Sequence, residues 1–235
     1  MALFPIDVGE ARFRCGPWRG STAVAYLMPL SPASTLGPAV LSAARAKLVA
    51  RGFSEVITGA VGVSECVALH QDGFTDREKL HLLSHDFSTP IPRRRPARVK
   101  IRRATSRSHQ SILSVDHKAF DAFWRLDESG LQEALAATPI SRLRVVRRGT
   151  VVGYAVTGRA GRNGYLQRLA VAPDQEGSGI GSALIHDSLR WLKRNRVSRV
   201  WVNTQQANSR ALALYQRLGF KSEQTHLTVL QRPLQ

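Results

Sequence analysis

The stretch Leu169-Ala-Val-Ala-Pro-Asp-Gln-Glu-Gly-Ser-Gly-Ile-Gly-Ser-Ala-Leu184 carries the deciding pattern. Residues 165–171 read as a strand. Gly177, Gly179 and Gly181 then make a turn, and a helix is expected over 181–194. Leu184, Ile185, Leu189 and Leu192 form its apolar face, while Lys193 and Arg194 suit the negative end of its dipole. Glycine admits positive φ and close approach of a ligand. The first turn of a helix leaves N–H groups unbonded, and the dipole adds partial positive charge there, so the turn suits a pyrophosphate. Taken alone, Gly-x-Gly-x-Gly is equally compatible with a tight strand-to-helix turn and no ligand.

On both sides the pattern is mixed α/β. A strand is expected at 98–104. Residues 109–137 read as helical, with one helix around 116–126 and another around 131–137. Strands at 141–146 and 150–157 flank Arg147-Arg148-Gly149, a hairpin signal. Beyond the glycine turn come a strand at 198–204, a helix at 208–218 stopped by Gly219, and a strand at 225–231. In that helix Ala211, Leu214, Tyr215 and Leu218 share one face.

The glycine segment resembles motif A of the GNAT superfamily (Gcn5-related N-acetyltransferases), Arg/Gln-x-x-Gly-x-Gly/Ala. Ala207-Asn-Ser-Arg-Ala-Leu-Ala-Leu-Tyr-Gln-Arg-Leu-Gly-Phe220 resembles its motif B. The likeness spans about residues 98–235 and implies a GNAT-like acyl-CoA N-acyltransferase fold with a mixed sheet. It implies acetyl-CoA as acyl donor, held by Leu169, Ala170 and Val171 on the strand and by Glu176, Gly177, Ser178, Gly179, Ile180, Gly181 and Ser182 in the turn. By the same likeness Leu169 donates its N–H to the acetyl carbonyl, stabilising the oxyanion, and Val171 pairs with pantetheine. Asn208 bonds the cofactor, or is simply a helix N-cap. Tyr215 protonates the departing thiolate, or is a core aromatic.

Glu176 departs from the family pattern, which has Arg or Gln there. A carboxylate about 6 Å from a phosphate charge costs roughly 2–3 kcal/mol at an effective dielectric of 20. Either Glu176 points to solvent or Gln175 takes the polar role. No general base is evident. The positions where family members carry glutamate are Asn203 and Tyr165 here. Deprotonating a lysine at pH 7 costs about 4.6 kcal/mol and an α-amine about 1.4 kcal/mol, so a weakly basic amine, with Gln167 and Asn203 holding a water, is a workable acceptor arrangement. Asp116, Asp121, Asp127 and Glu128 fall where the family binds acceptors, with exposed helix charge as the plainer reading. Phe120, Phe123 and Trp124 fall there too, as groove or as ordinary core. No ligand-spaced His or Cys cluster is present, so no metal is expected.

Residues 88–97 hold three prolines within seven residues and read as a linker. The expected division is 1–93, a degenerate partial GNAT-like domain, and 94–235, the catalytic domain. The first half echoes the second: a helix at 39–50, a strand at 55–59, Ala68-Leu-His-Gln-Asp-Gly-Phe74 against Leu214-Tyr-Gln-Arg-Leu-Gly-Phe220, then a strand at 79–83. It lacks a glycine turn before Ala39 and is not expected to bind CoA.

Net charge is +17, with 28 of 34 basic residues arginine. The skew reads as coding bias, and the alternative is an anionic partner such as nucleic acid or a ribosome. Two cysteines, Cys15 and Cys66, make no disulfide framework and suggest a reducing cytoplasm. The first ten residues lack a basic start with an apolar core, and no apolar run reaches 18 residues, so neither a signal peptide nor a membrane span is expected. The expected reaction is acetyl transfer to a primary amine by direct attack in a ternary complex. The alternatives are a non-catalytic acyl-CoA sensor, favoured by Glu176 and the missing base, and a nucleic-acid or ribosome module using the basic run 93–107, which has few aromatics.

Overall fold

The structure, a computed structural model, describes residues 3–91 and 99–234. In chain order the elements are β1 (Phe4–Val8), β2 (Ala11–Pro17), β3 (Val24–Pro29), α1 (Pro38–Val49), β4 (Glu55–Thr58), α2 (Val63–Gln71) and β5 (Thr75–His85). There follow β6 (Ile101–Arg103), α3 (His109–Ala119), α4 (Glu128–Ala136), β7 (Ile140–Arg148), β8 (Thr150–Ala160) and β9 (Asn163–Val171). The chain ends with α5 (Ile180–Arg194), β10 (Arg199–Gln205), α6 (Ser209–Arg217) and β11 (Lys221–Pro233). The expected boundary at 93/94, most of the expected linker and the start of the basic run lie outside the described residues.

Two compact units share the chain, and neither is continuous. One holds Met1–Leu82, Asn203–Asn208 and Glu223–Gln235; the other holds Leu83–Val202 and Ser209–Ser222. In the first, β1, β2 and β3 form an antiparallel meander, with Ile6 opposite Phe13 and Cys15 opposite Leu27. α1 then crosses over so that β4 runs parallel to β3. The other neighbour of β4 is the last strand, β11, antiparallel, with Ile57 opposite Gln231. Phe13, Leu27, Leu41, Leu48 and Leu69 are the centre of this unit's core. The three opening strands were not anticipated. Their signal lies in Ala11-Arg-Phe-Arg-Cys15, where Ala11, Phe13 and Cys15 are buried and the two arginines exposed.

In the second unit β6, β7, β8 and β9 pair antiparallel in sequence. α5 is the crossover to β10, which runs parallel to β9. One sheet face packs Val146, Val152 and Ala155 on Ile180, Ala183 and Leu184 of α5. The opposite face packs Val145, Tyr154 and Val156 on Ile112, Val115 and Leu131 of α3 and α4. A third cluster joins Ile185, Leu189 and Leu192 to Tyr215, Leu218 and Phe220. Each fully buried leucine of α5 contributes about 1.5–3 kcal/mol relative to exposure. The anticipated apolar face of α5 is therefore the buried one, and on α6 Tyr215 is buried with Ala211 and Leu214 half-buried beside it. The mixed α/β architecture is as expected.

The helix expected around 116–126 is formed only to Ala119, the end of α3. Phe120 leaves helical space at φ −124°, ψ 151°. Residues 120–126 run as turn and irregular chain. Local apolar spacing suggested helix, but the Asp116 carboxylate accepts the Leu126 N–H at 2.7 Å and draws the chain back across α3. Here tertiary bonding overrides a weak propensity.

Candidate functional site

β9 is where the second unit departs from a regular sheet. Its parallel register with β10 covers Asn163, Gly164 and Tyr165, the last opposite Trp201, whereas β9 continues to Val171. On its other side β8 stays paired to the end, with Gly153 opposite Val171 and Ala155 opposite Leu169. A bulge interrupts that ladder between Val156 and Thr157, leaving Gln167 as the extra residue. The Ala172 N–H donates to the Val152 carbonyl at 2.9 Å. Backbone polar groups alternate sides along a strand, so Ala170 also faces β8. Leu169 and Val171 consequently direct their N–H and C=O groups away from β8, on the side where the register with β10 has ended.

The strand then enters the glycine turn. Gly177 and Gly179 have φ of 75° and 80°, values costly for most other residues. Gly179 caps α5, so the N–H groups of Ile180, Gly181 and Ser182 lie in the unbonded first turn; Ala183 is the first to donate back, to Gly179. A Cβ on Gly177 would meet nothing within 4 Å, so the turn is open there. A Cβ on Gly181 would lie 3.2 Å from Leu214 Cδ2, which ties this glycine to the packing of α5 on α6. The Ile180 side chain is buried, leaving its backbone for a ligand. Ser178 turns inward and donates its hydroxyl to the Gln175 carbonyl at 2.5 Å. An open turn at the N-terminus of a 15-residue helix fits a pyrophosphate through backbone donors.

Glu176 forms an ion pair with Arg210 in the first turn of α6. The carboxylate is therefore neither left to solvent alone nor aimed unpaired at the turn. Gln175 accepts from Arg148 Nη1 at 2.7 Å. Asn208 directly precedes α6. Tyr215 lies in the α5–α6 core, edge-on to Phe220 with ring centroids 5.6 Å apart. Burial pushes its hydroxyl up to about 12, so it remains a protonated donor at neutral pH.

The acidic candidates separate by role. Asp127 caps α4, accepting the Gly130 N–H at 2.7 Å. Glu128 bonds His109 and Gln132, and Asp121 accepts the Trp124 N–H. Asp116, read as exposed charge or acceptor-side acid, is fully buried and ion-paired with Arg168. It also accepts the Tyr154 hydroxyl at 2.5 Å. Arg168 and Tyr154 are the residues that sequence reasoning missed; only an arginine amid an apolar strand could have flagged the first. Gln167 has its Oε1 buried without a hydrogen-bond partner among the described residues, while Nε2 reaches Thr138 Oγ1 at 3.4 Å. Asn203 is exposed, and Tyr165 is half-buried on β9. A cavity of about 460 Å³ opens along α3, lined by Gln110, Leu113, Ser114, His117, Lys118 and Arg125. No cluster of metal-ligating side chains occurs among the described residues.

The residues matched to motifs A and B thus form an open turn after a strand whose parallel register has ended, followed by α5 and α6. Residues 107–220 match the family described as Acetyltransferase (GNAT) family. These residues are a GNAT domain. The chain is 27% identical over 163 residues to a mycothiol acetyltransferase of Thermobispora bispora, covering 63% of this chain and 55% of that protein. It is 30% identical over 77 residues to the [Ribosomal protein bS18]-alanine N-acetyltransferase of Escherichia coli, covering 33% and 52%. It spans about half the length of these curated relatives. A solved tandem GNAT protein from the clavulanic acid biosynthesis pathway aligns over 97% of this chain and 81% of its own, with TM-score 0.71 and 12% identity, a likeness of fold. The GNAT domain of this chain thus includes the β9 edge, the glycine turn and α6 together.

Proposed function

We propose that this chain transfers the acetyl group of acetyl-CoA to a primary amine by direct attack. The observation that carries this is the free edge of β9 at Leu169 and Val171, set beside the Gly177–Gly179 turn. Acetyl-CoA supplies an activated thioester. In this reading the Leu169 N–H donates to the carbonyl oxygen as negative charge develops there. The backbone of Val171 lies along the pantetheine arm, and the first-turn N–H groups of α5 hold the pyrophosphate. The amine nitrogen bonds to the acetyl carbon, the carbon–sulfur bond breaks, and the proton lost by the amine balances the one gained by the thiolate. Tyr215 donates a hydrogen bond to that sulfur. Transfer of its own proton would be uphill, from a phenol near 12 to a thiol near 8.5.

An α-amine or similarly weak base is the favoured acceptor class, because Asp116, Asp121, Asp127 and Glu128 are each already engaged in hydrogen bonds or an ion pair. Residues 1–93 serve as a degenerate GNAT-like segment that does not bind CoA. Free cysteines and the lack of any described helix long and apolar enough to cross a membrane suit a cytoplasmic protein. Calorimetry with acetyl-CoA, followed by thiol release across a panel of amines and peptide N-termini, tests the reading. One site per chain and amine-dependent release are expected. Binding without release for every amine would favour an acyl-CoA sensor, the reading that Glu176 beside the turn supports.

A further inference from the structure

Arg168 occupies the position between the bulged Gln167 and Leu169. Its side chain lies on the α3 face of β9 and is 11% exposed. Nε donates to Asp116 Oδ2 at 2.8 Å and Nη2 to Oδ1 at 2.9 Å, a two-pronged pair. Nη2 also donates to the Trp124 carbonyl at 2.6 Å, and the guanidinium lies 3.6 Å from the Phe120 ring centroid. The same carboxylate takes the Leu126 N–H. One buried ion pair therefore holds the start, middle and end of residues 120–126 against the strand.

Stability alone is a poor reason for such a pair. Taking two charges out of water costs much of their attraction, and apolar replacements of equal volume often stabilise. What the pair supplies is a fixed geometry at one place. We propose that Asp116 and Arg168 are positioning residues for acetyl transfer: they hold residues 120–126 as a wall over β9, one residue from the Leu169 N–H, against which the acceptor amine is aligned. This rests on the acetyltransferase reading above. Misplacing reacting groups by about 1 Å costs on the order of 100-fold in rate.

The full chain carrying Arg168→Lys, Arg168→Met or Asp116→Asn tests this. The measurements are acetyl-CoA affinity, kcat and acceptor KM for a reactive amine, thermal midpoint, and amide exchange of residues 120–126. Arg168→Lys keeps a charge but loses the fork, and guards against variants that fail to fold. Expected are acetyl-CoA affinity within about two-fold of wild type, kcat lowered roughly 10- to 100-fold, and faster exchange confined to residues 120–126. A folded Arg168→Met with native kcat and acceptor KM would overturn the proposal. So would a loss of acetyl-CoA affinity matching the loss of rate. If wild type binds no acetyl-CoA, the acetyltransferase reading itself has failed. The exchange data then still report whether the pair holds the segment, and unchanged exchange would overturn that part too.

Discussion

From β1 in the first unit and β7 in the second, the two units run through the same order of elements and differ at the first crossover. In each, three antiparallel strands, β1–β3 in the first unit and β7–β9 in the second, are followed by a helix, a parallel strand and a second helix; β6, α3 and α4 precede this run in the second unit. The shared turn is detailed: the Phe74 N–H donates to the Leu69 carbonyl at 3.0 Å, and the Phe220 N–H to the Tyr215 carbonyl at 3.1 Å. At the first crossover, however, β3 stays registered to the end of β4, with Leu27 opposite Thr58, and the Gly59 N–H donates on to Leu27. No strand edge opens there. Gly37 caps α1 with φ −68°, and Pro38 removes the first helical N–H. The position matching Tyr215 is Leu69, fully buried and without a hydroxyl. A repeat of topology therefore does not imply a repeat of binding. On the function proposed above, what separates the units is how soon the parallel ladder stops and the chain conformation at the helix cap.

The largest test is a matched pair of substitutions at the two caps. Gly179→Asp is expected to weaken acetyl-CoA binding roughly 30- to 100-fold, the effect of a carboxylate about 6 Å from phosphate at an effective dielectric of 20. Aspartate tolerates positive φ better than most residues, so the fold is expected to survive. Gly37→Asp should leave affinity unchanged. Calorimetry on both decides, and equal effects would erase the distinction between units. Next, Tyr215→Phe should lower kcat about 10-fold, short of the usual general-acid range, because the hydroxyl donates a hydrogen bond and keeps its proton. Affinity and thermal midpoint should hold, since Phe conserves the packing. Full turnover in the variant would assign Tyr215 to the core alone, as Leu69 is.

Much of the second unit was legible because its signals are local. The glycines, the β7–β8 hairpin around Gly149 and the α5 and α6 faces all declare themselves within a few residues. The first three strands were missed, although Ala11 to Cys15 alternates in the manner of a strand with one buried face. The 120–126 segment was misread because its conformation is set by Asp116 and Arg168, 52 residues apart in the chain. The β9 bulge at Gln167 leaves no local mark either. Such features depend on which distant backbone lies alongside.

A smaller effect concerns Glu176, the residue out of keeping with the family pattern. Its ion pair with Arg210 is exposed on both sides, a class of interaction worth little by itself. Glu176→Gln should release Arg210 toward the phosphates and tighten acetyl-CoA binding about two- to five-fold. Arg210→Ala should move affinity the other way. Unchanged affinity in both variants, measured at low and high salt, would place the pair outside the donor site.

The smallest expected effect separates the two glycine–phenylalanine turns by pH. In the first unit a Cβ on Gly73 would lie 3.1 Å from Arg232, whose guanidinium pairs with Asp72 at 3.1 Å. In the second unit Gly219 faces Thr89 and His85 instead. His85 is 1% exposed, takes the Phe87 N–H on Nδ1 at 3.0 Å, and lies edge-on to Phe87 and Phe220. Burial lowers its pKa below the ordinary 6.5; Asp86 opposes the shift, and Lys193 and Lys221 add to it. Folded His85 thus binds its proton less readily than the unfolded chain does. As pH falls below about 6.5 the unfolded state takes up more protons, so stability declines in that direction, and it is unaffected by this group well above 6.5. The thermal midpoint should accordingly drop more between pH 7.5 and 5.5 in wild type than in His85→Asn, which can still accept the Phe87 N–H. Over the same interval the protection factor of the Phe220 amide should fall, while that of Phe74 should not follow it. Parallel behaviour of the two amides, or equal slopes in the two proteins, would show that the neutral imidazole is not what holds the second turn.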